Sequence, residues 1–171
     1  MPYSGAKEFI SVLTLTFALY RPTSNEDVSD KGESMMTLVI PNPENPLYAI
    51  SIDVFEGSGG DLRCAVWFGP VEISGYTEAD DVTTVVEDIL NDRAVTVLRY
   101  KTRDTYDDRH PTGNWQKIFW LVEGADRDGQ ALEAFLTRMA TKPTLADRLL
   151  GNRTGIFEVA RWSGVTVIER N

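Results

Sequence analysis

The chain has 171 residues, 42% of them hydrophobic and 25% charged, which suits an ordinary globular protein with enough apolar material for a core. Its formal charge of -9 and pI near 4.6 give it the wrong sign for direct binding to nucleic acid or to an anionic membrane surface. One cysteine, Cys64, can form no intrachain disulfide, so nothing ties the chain to an oxidising compartment, and the cytoplasm is the default expectation.

The apolar run Phe9 to Tyr20 is interrupted by Thr14 and Thr16, and neither a basic cluster before it nor a small-residue cleavage site after it supports a signal peptide or a membrane span. Phe9, Val12, Leu13, Phe17 and Tyr20 fit one side of a helix, whereas Leu13, Leu15, Phe17 and Leu19 alternate as in a strand. Periodicity does not decide between them. The stop at Arg21-Pro22 favours the helix. Residues 23–34 are polar, acidic and short of large apolar side chains, which predicts a mobile loop. Pro41, Pro43 and Pro46 stiffen the connection that follows.

Residues 47–55 place Tyr48, Ile50, Ile52 and Val54 on one face of a strand, and residues 62–68 do the same with Leu62, Cys64, Val66 and Phe68. Gly57, Gly59 and Gly60 supply the hairpin turn between them. Gly69-Pro70 breaks the second strand, and residues 71–76 continue as a short strand. Thr77 then stands as an N-cap with Asp80 three positions later, and Val82, Val85, Val86, Ile89 and Leu90 recur at helical spacing. The other side of this helix carries Glu78, Asp80, Asp81, Glu87, Asp88 and Asp92, with no Lys or Arg before Arg93.

A strand over 94–103, a surface connection over 104–114 and a strand over 115–122 come next. An amphipathic helix over 128–141 should bury Ala131, Leu132, Phe135, Leu136 and Met139, and a short helix should run from Thr144 to Leu150. A terminal hairpin turns at Ser163-Gly164. This order predicts a single α+β domain over 1–171, a mostly antiparallel twisted sheet of about six or seven strands packed against two or three helices.

Chemistry is sparse. Ser4 and Lys7 match the S-x-x-K spacing that lets a lysine activate a serine, but the companion motifs are missing. His110 is the single histidine, so any Ser-His-Asp or Cys-His arrangement would run through it, beside Asp107 and Asp108 in a polar loop. Cys64 shares its strand face with Leu62 and Val66 and reads as a small core residue. One His and one Cys cannot build a zinc site without several carboxylates, and Asp104, Asp107 and Asp108 lack the order of a calcium loop. The glycine-rich turn joins two strands and opens no helix, so it is not a phosphate cradle. Asp53 and Glu72 could pair as acid and base if their strands were adjacent. Trp67, Trp115, Trp120 and Trp162 fit core packing or an aromatic binding surface. No catalytic residue, metal or cofactor is therefore expected.

The block Trp67-Phe68-Gly69-Pro70, with Gly75-Tyr76-Thr77 and Val85-Val86-Glu87-Asp88-Ile89-Leu90, resembles small acidic immunity-type proteins that bacteria encode to neutralise secreted toxins. The resemblance covers about a quarter of the chain and transfers no functional residue. It implies a non-catalytic inhibitor that covers a toxin's active site. With the charge pattern, the expectation is a binding module whose partner-binding residues are Glu78, Asp80, Asp81, Glu87, Asp88, Asp107 and Asp108, facing a basic protein partner such as a toxin or nuclease. Two other readings stand beside it: a small-molecule-binding or hydrolytic domain with a pocket between sheet and helices, and a structural subunit that forms a homodimer through a sheet face.

Overall fold

The computed structural model describes residues 3–28, 34–57, 60–76, 79–109, 111, 116–121, 130–141 and 154–170. The chain is α+β with antiparallel strand pairing throughout, as the sequence predicts. The single predicted sheet is two sheets, one of five strands and one of four, and they belong to two compact units, Met1–Leu90 and Asn91–Asn171.

In the first unit, helix α1 (Ala6–Thr16) leads into a 3₁₀ turn at Ala18–Tyr20. The helix wins over the strand because its polar interruptions are absorbed locally: the hydroxyls of Ser11, Thr14 and Thr16 donate to the carbonyls of Lys7, Ile10 and Val12, four residues back. Glu56 accepts from the Ala6 amide at 3.2 Å and sets a carboxylate at the helix start, where the dipole favours it. Arg21, in the left-handed region at φ 53°, then turns the chain into β1.

Strands β1 (Thr23–Val28), β2 (Ser34–Ile40), β3 (Ile50–Glu56), β4 (Leu62–Phe68) and β5 (Val71–Tyr76) pair in sequence order as a meander. β1 corrects the loop expected over 23–34. All six of its side chains are exposed, so it shows no alternation, yet its backbone pairs with β2 from Thr23↔Val39 to Val28↔Ser34. The cross-strand row Leu38, Ile52, Val66 and Ile73 and the row Ile40, Ile50, Phe68 and Val71 are buried on one sheet face. Each such side chain contributes roughly 1.5 to 3 kcal/mol by leaving water. Helix α1 lies against β2 and β3 on that face, and helix α2 (Ala79–Leu90) lies against β4 and β5 beside it. Phe9, Ile10, Leu13 and Phe17 of the first helical segment and Val82, Val85, Val86 and Ile89 of α2 close the core.

The second unit contains β6 (Ala94–Tyr100), helix α3 (Arg103–Asp107), β7 (Gln116–Trp120), helix α4 (Gln130–Thr141), β8 (Gly155–Arg161) and β9 (Gly164–Arg170). Its sheet order is β7-β6-β8-β9. β6 is buried along its whole length, Arg99 included. The Arg99 guanidinium donates to the carbonyl of Thr154 at 2.7 and 3.1 Å. Val95, Val97, Phe157 and Val159 form the core with Phe135 of α4, and Leu121, Leu136 and Ile168 pack around it. Helix α3 is a feature that the sequence places inside a surface loop. The helix predicted over 144–150 lies outside the described residues.

Candidate functional site

Helix α2 presents the acidic surface expected of it. Because Val82, Val85, Val86 and Ile89 are turned to the sheet, Asp80, Asp81 and Glu87 are exposed on the opposite side and Asp88 is half-buried. Asp80 and Asp81 occupy the first turn, where the helix dipole stabilises negative charge. Glu87 and Asp88 stand in the last turn, where the dipole alone disfavours them, and no basic residue of the helix joins them there. Glu78 lies outside the described residues. Asp92, with φ 56°, leaves the acidic face: its carboxylate accepts from the Ser163 amide at 3.0 Å and from the Ser163 hydroxyl, pinning the β8–β9 turn.

Asp107 and Asp108 are exposed at the end of α3, in the other unit from α2. Their helix is set by Thr102 and Thr105, which cap one another: the Thr105 amide donates to Thr102 Oγ1 at 3.2 Å and the Thr102 amide to Thr105 Oγ1 at 3.0 Å. Asp108 closes the helix with its amide on the Asp104 carbonyl. His110 lies outside the described residues.

Next to Asp108 the structure reveals a cluster the sequence reading missed. Glu158, buried on β8 between Phe157 and Val159, accepts from both ends of the Arg109 guanidinium, at 2.6 and 2.9 Å. Tyr106 also bonds to Glu158, and the Tyr100 and Tyr106 rings meet edge to face at 5.0 Å beneath the guanidinium. Burial, reinforced by the Glu158 charge, pushes the Tyr100 hydroxyl up to about 12, and the same two causes raise Tyr106. Both hydroxyls therefore stay protonated at neutral pH, and the carboxylate is held by the Arg109 guanidinium and the Tyr106 hydroxyl. This arrangement clasps α3 onto the sheet. Arg103, exposed on the same helix, adds an ion pair to Glu169 of β9 and stacks on Tyr106. The signal in the sequence was a lone Glu inside the apolar run Ile156 to Ala160.

The remaining candidates resolve into structural roles. Ser4 donates its amide and hydroxyl to the Glu8 carboxylate, at 2.8 and 2.5 Å, and these bonds hold that carboxyl below its ordinary range; Lys7 is exposed. Asp53 and Glu72 do not stand on adjacent strands: β4 separates them, with Asp53 opposite Ala65 and Glu72 opposite Trp67. Asp53 instead accepts from Thr37 Oγ1 at 2.8 Å and from Trp67 Nε1 at 2.9 Å, tying β2, β3 and β4 together on the outer sheet face. Trp67 and Trp162 are half-buried, while Trp115 and the Trp120 side chain lie outside the described residues. Gly57 donates to the Asp61 carbonyl and Gly60 to that of Gly57, which makes the glycine-rich stretch a hairpin turn.

Cys64 is buried, and desolvation pushes its thiol up to about 12. It is expected to resist iodoacetamide at pH 8 in the folded protein and to react fully once denaturant is added, as intact-mass measurement would record. Among the described residues, no group of three His, Cys, Asp or Glu could hold a metal ion, and no helix is long and apolar enough to cross a membrane. No protein-family model matches the chain, and comparison with curated proteins and with solved structures gave no match.

Proposed function

We propose that this protein is a non-catalytic protein-binding module, an immunity-type inhibitor that neutralises a basic toxin or nuclease through its acidic face. The observation that supports the reading is the outer side of α2, where Asp80, Asp81 and Glu87 are exposed over a helix whose Val82, Val85, Val86 and Ile89 are buried in the core. Such a surface is exposed on the side of the helix that does not form the core. Clustered charge of one sign accelerates encounter with an oppositely charged protein and suppresses wrong partners. Asp107 and Asp108 offer a second exposed acidic pair, on α3.

Reversing two charges, Asp81→Lys with Glu87→Lys, is expected to slow association with the partner by about tenfold at low salt, an effect that fades as salt screens it. The partner is obtained by affinity capture from the source lysate at low and at high salt, identified by mass spectrometry, and its on-rate measured by surface plasmon resonance. An unchanged on-rate would remove α2 from the interface. A capture without any salt-released basic protein would reject the binding role itself.

A further inference from the structure

The negative charge of this chain is not spread evenly. The first unit, Met1–Leu90, holds four Lys and Arg against fifteen Asp and Glu, a net of -11, whereas the second holds thirteen against eleven, a net of +2. A basic protein is therefore drawn to the first unit.

That unit also offers unpaired backbone. Strand β1 ends the five-stranded sheet, so one side of its main chain has no neighbouring strand. All six of its side chains are exposed, which leaves the strand uncovered on both faces. Its pairing with β2 runs without a bulge, and Thr23–Val28 contains neither Lys nor Pro, so three of the devices that usually blunt a sheet edge are missing.

The side chains of β1 define what it would accept. Glu26 and Asp27 are consecutive and point to opposite faces. Their cross-strand partners, Met36 and Met35, carry no charge, and the nearest bases in the sequence, Arg21 and Lys31, stand beyond the two ends of the strand. Val28, 64% exposed, adds an apolar neighbour on the same face as Glu26.

We infer that β1 takes an extended segment of a partner protein as a sixth strand, with two consecutive Lys or Arg residues opposite Glu26 and Asp27, one on each face. In this mode main-chain bonds supply affinity and the alternating side chains supply selectivity. The inference is independent of the reading of α2, which packs on β4 and β5. Even β4 lies three strand spacings from β1, about 14 Å, which exceeds the Debye length of about 8 Å at physiological salt.

The probe is a labelled peptide of about nine residues, alternating Thr and Val around a central Lys-Lys. A Glu-Glu counterpart and a Lys-Lys peptide N-methylated along its backbone serve as controls. Fluorescence anisotropy at physiological salt should show the Lys-Lys peptide binding the whole chain about tenfold tighter than either control. Hydrogen exchange over residues 23–28 should slow when it binds. Glu26→Lys with Asp27→Asn should weaken it about tenfold. Asparagine keeps an acceptor for the Val28 amide, which Asp27 holds at 2.8 Å, and both positions are exposed, so the thermal transition should not move. Asp81→Lys with Glu87→Lys should change the affinity by less than about twofold.

Equal affinity of the N-methylated and parent peptides would overturn strand addition, and equal affinity of the Glu26→Lys, Asp27→Asn variant and the parent chain would overturn its selectivity. A peptide weakened by the α2 variant alone has bound the acidic helix, which would overturn β1 as the site and leave the α2 reading standing. No binding of any peptide would overturn the inference and leave α2 to its own on-rate measurement. A dimer in sedimentation whose formation slows exchange over 23–28 would assign the edge to a second copy, with the same consequence.

Discussion

Arg109→Ala is expected to destabilise the protein by about 3 kcal/mol, because it strands the Glu158 carboxylate inside the sheet without its charged partner. The asymmetry of the pair sets this expectation. Glu158 is 3% exposed and Arg109 is 38% exposed, so the arginine can turn to water when its partner is lost, whereas the glutamate cannot. Glu158→Gln, which keeps the shape and removes the charge, should therefore cost less, about 1 to 2 kcal/mol. Arg109→Lys should fall between them, since an ammonium restores the charge but not the two parallel bonds. Urea unfolding monitored by far-UV circular dichroism would order the three variants. A loss in Glu158→Gln as large as in Arg109→Ala would show that the carboxylate's neutral hydrogen bonds, not its charge pairing, hold α3 in place.

Gly155→Ala is expected to be at least as damaging, with a loss of about 3 kcal/mol or more and, at physiological temperature, failure to accumulate folded protein. Gly155 opens β8 at φ 134°, a backbone conformation that L side chains rarely adopt. A Cβ placed there would sit 2.5 Å from the Tyr100 carbonyl oxygen and 3.3 Å from Arg99 Nε. The oxygen belongs to a fully buried strand and has nowhere to move. Gly164 provides the control: it has a similar φ of 154°, but nothing within 4 Å of its would-be Cβ, so Gly164→Ala should cost the backbone term alone. Comparison of the two thermal transitions by differential scanning calorimetry separates close approach from backbone preference. Equal midpoints would mean that the sheet yields around the new methyl group.

The pattern of what was legible in the sequence follows from where each residue's energy comes from. Strands β3 and β4 could be read because Ile50, Ile52 and Val54 and Cys64, Val66 and Phe68 alternate between core and surface, and alternation is written in composition. Helix α2 could be read for the same reason, and its acidic residues follow as the face left over. β1 could not, since every one of its side chains is exposed and its order comes from backbone bonds to β2, to which side-chain chemistry is nearly blind. Helix α3 was hidden because its capping pair is Thr102 with Thr105, whose hydroxyls bond the backbone in a loop as readily as at a helix end. The Glu158 cluster depends on partners from β6, α3 and β8, so only the fold brings it together. Asp53 and Glu72 failed as a pair because strand order decides which side chains can meet across a sheet, and β4 lies between β3 and β5.

The exposed strand β1 carries one further consequence. It is the last strand on its side of the five-stranded sheet, so its outer backbone groups are an unfinished ladder that another extended chain could lengthen. Glu26 and Asp27 lie on that rim, both open to water. Any copy of the protein that approached edge to edge would bring the same two carboxylates into the growing seam, and their repulsion would disfavour the pairing. On this strand the chain's negative charge acts as a guard against polymerisation: it keeps a sheet that ends abruptly from continuing into its neighbours.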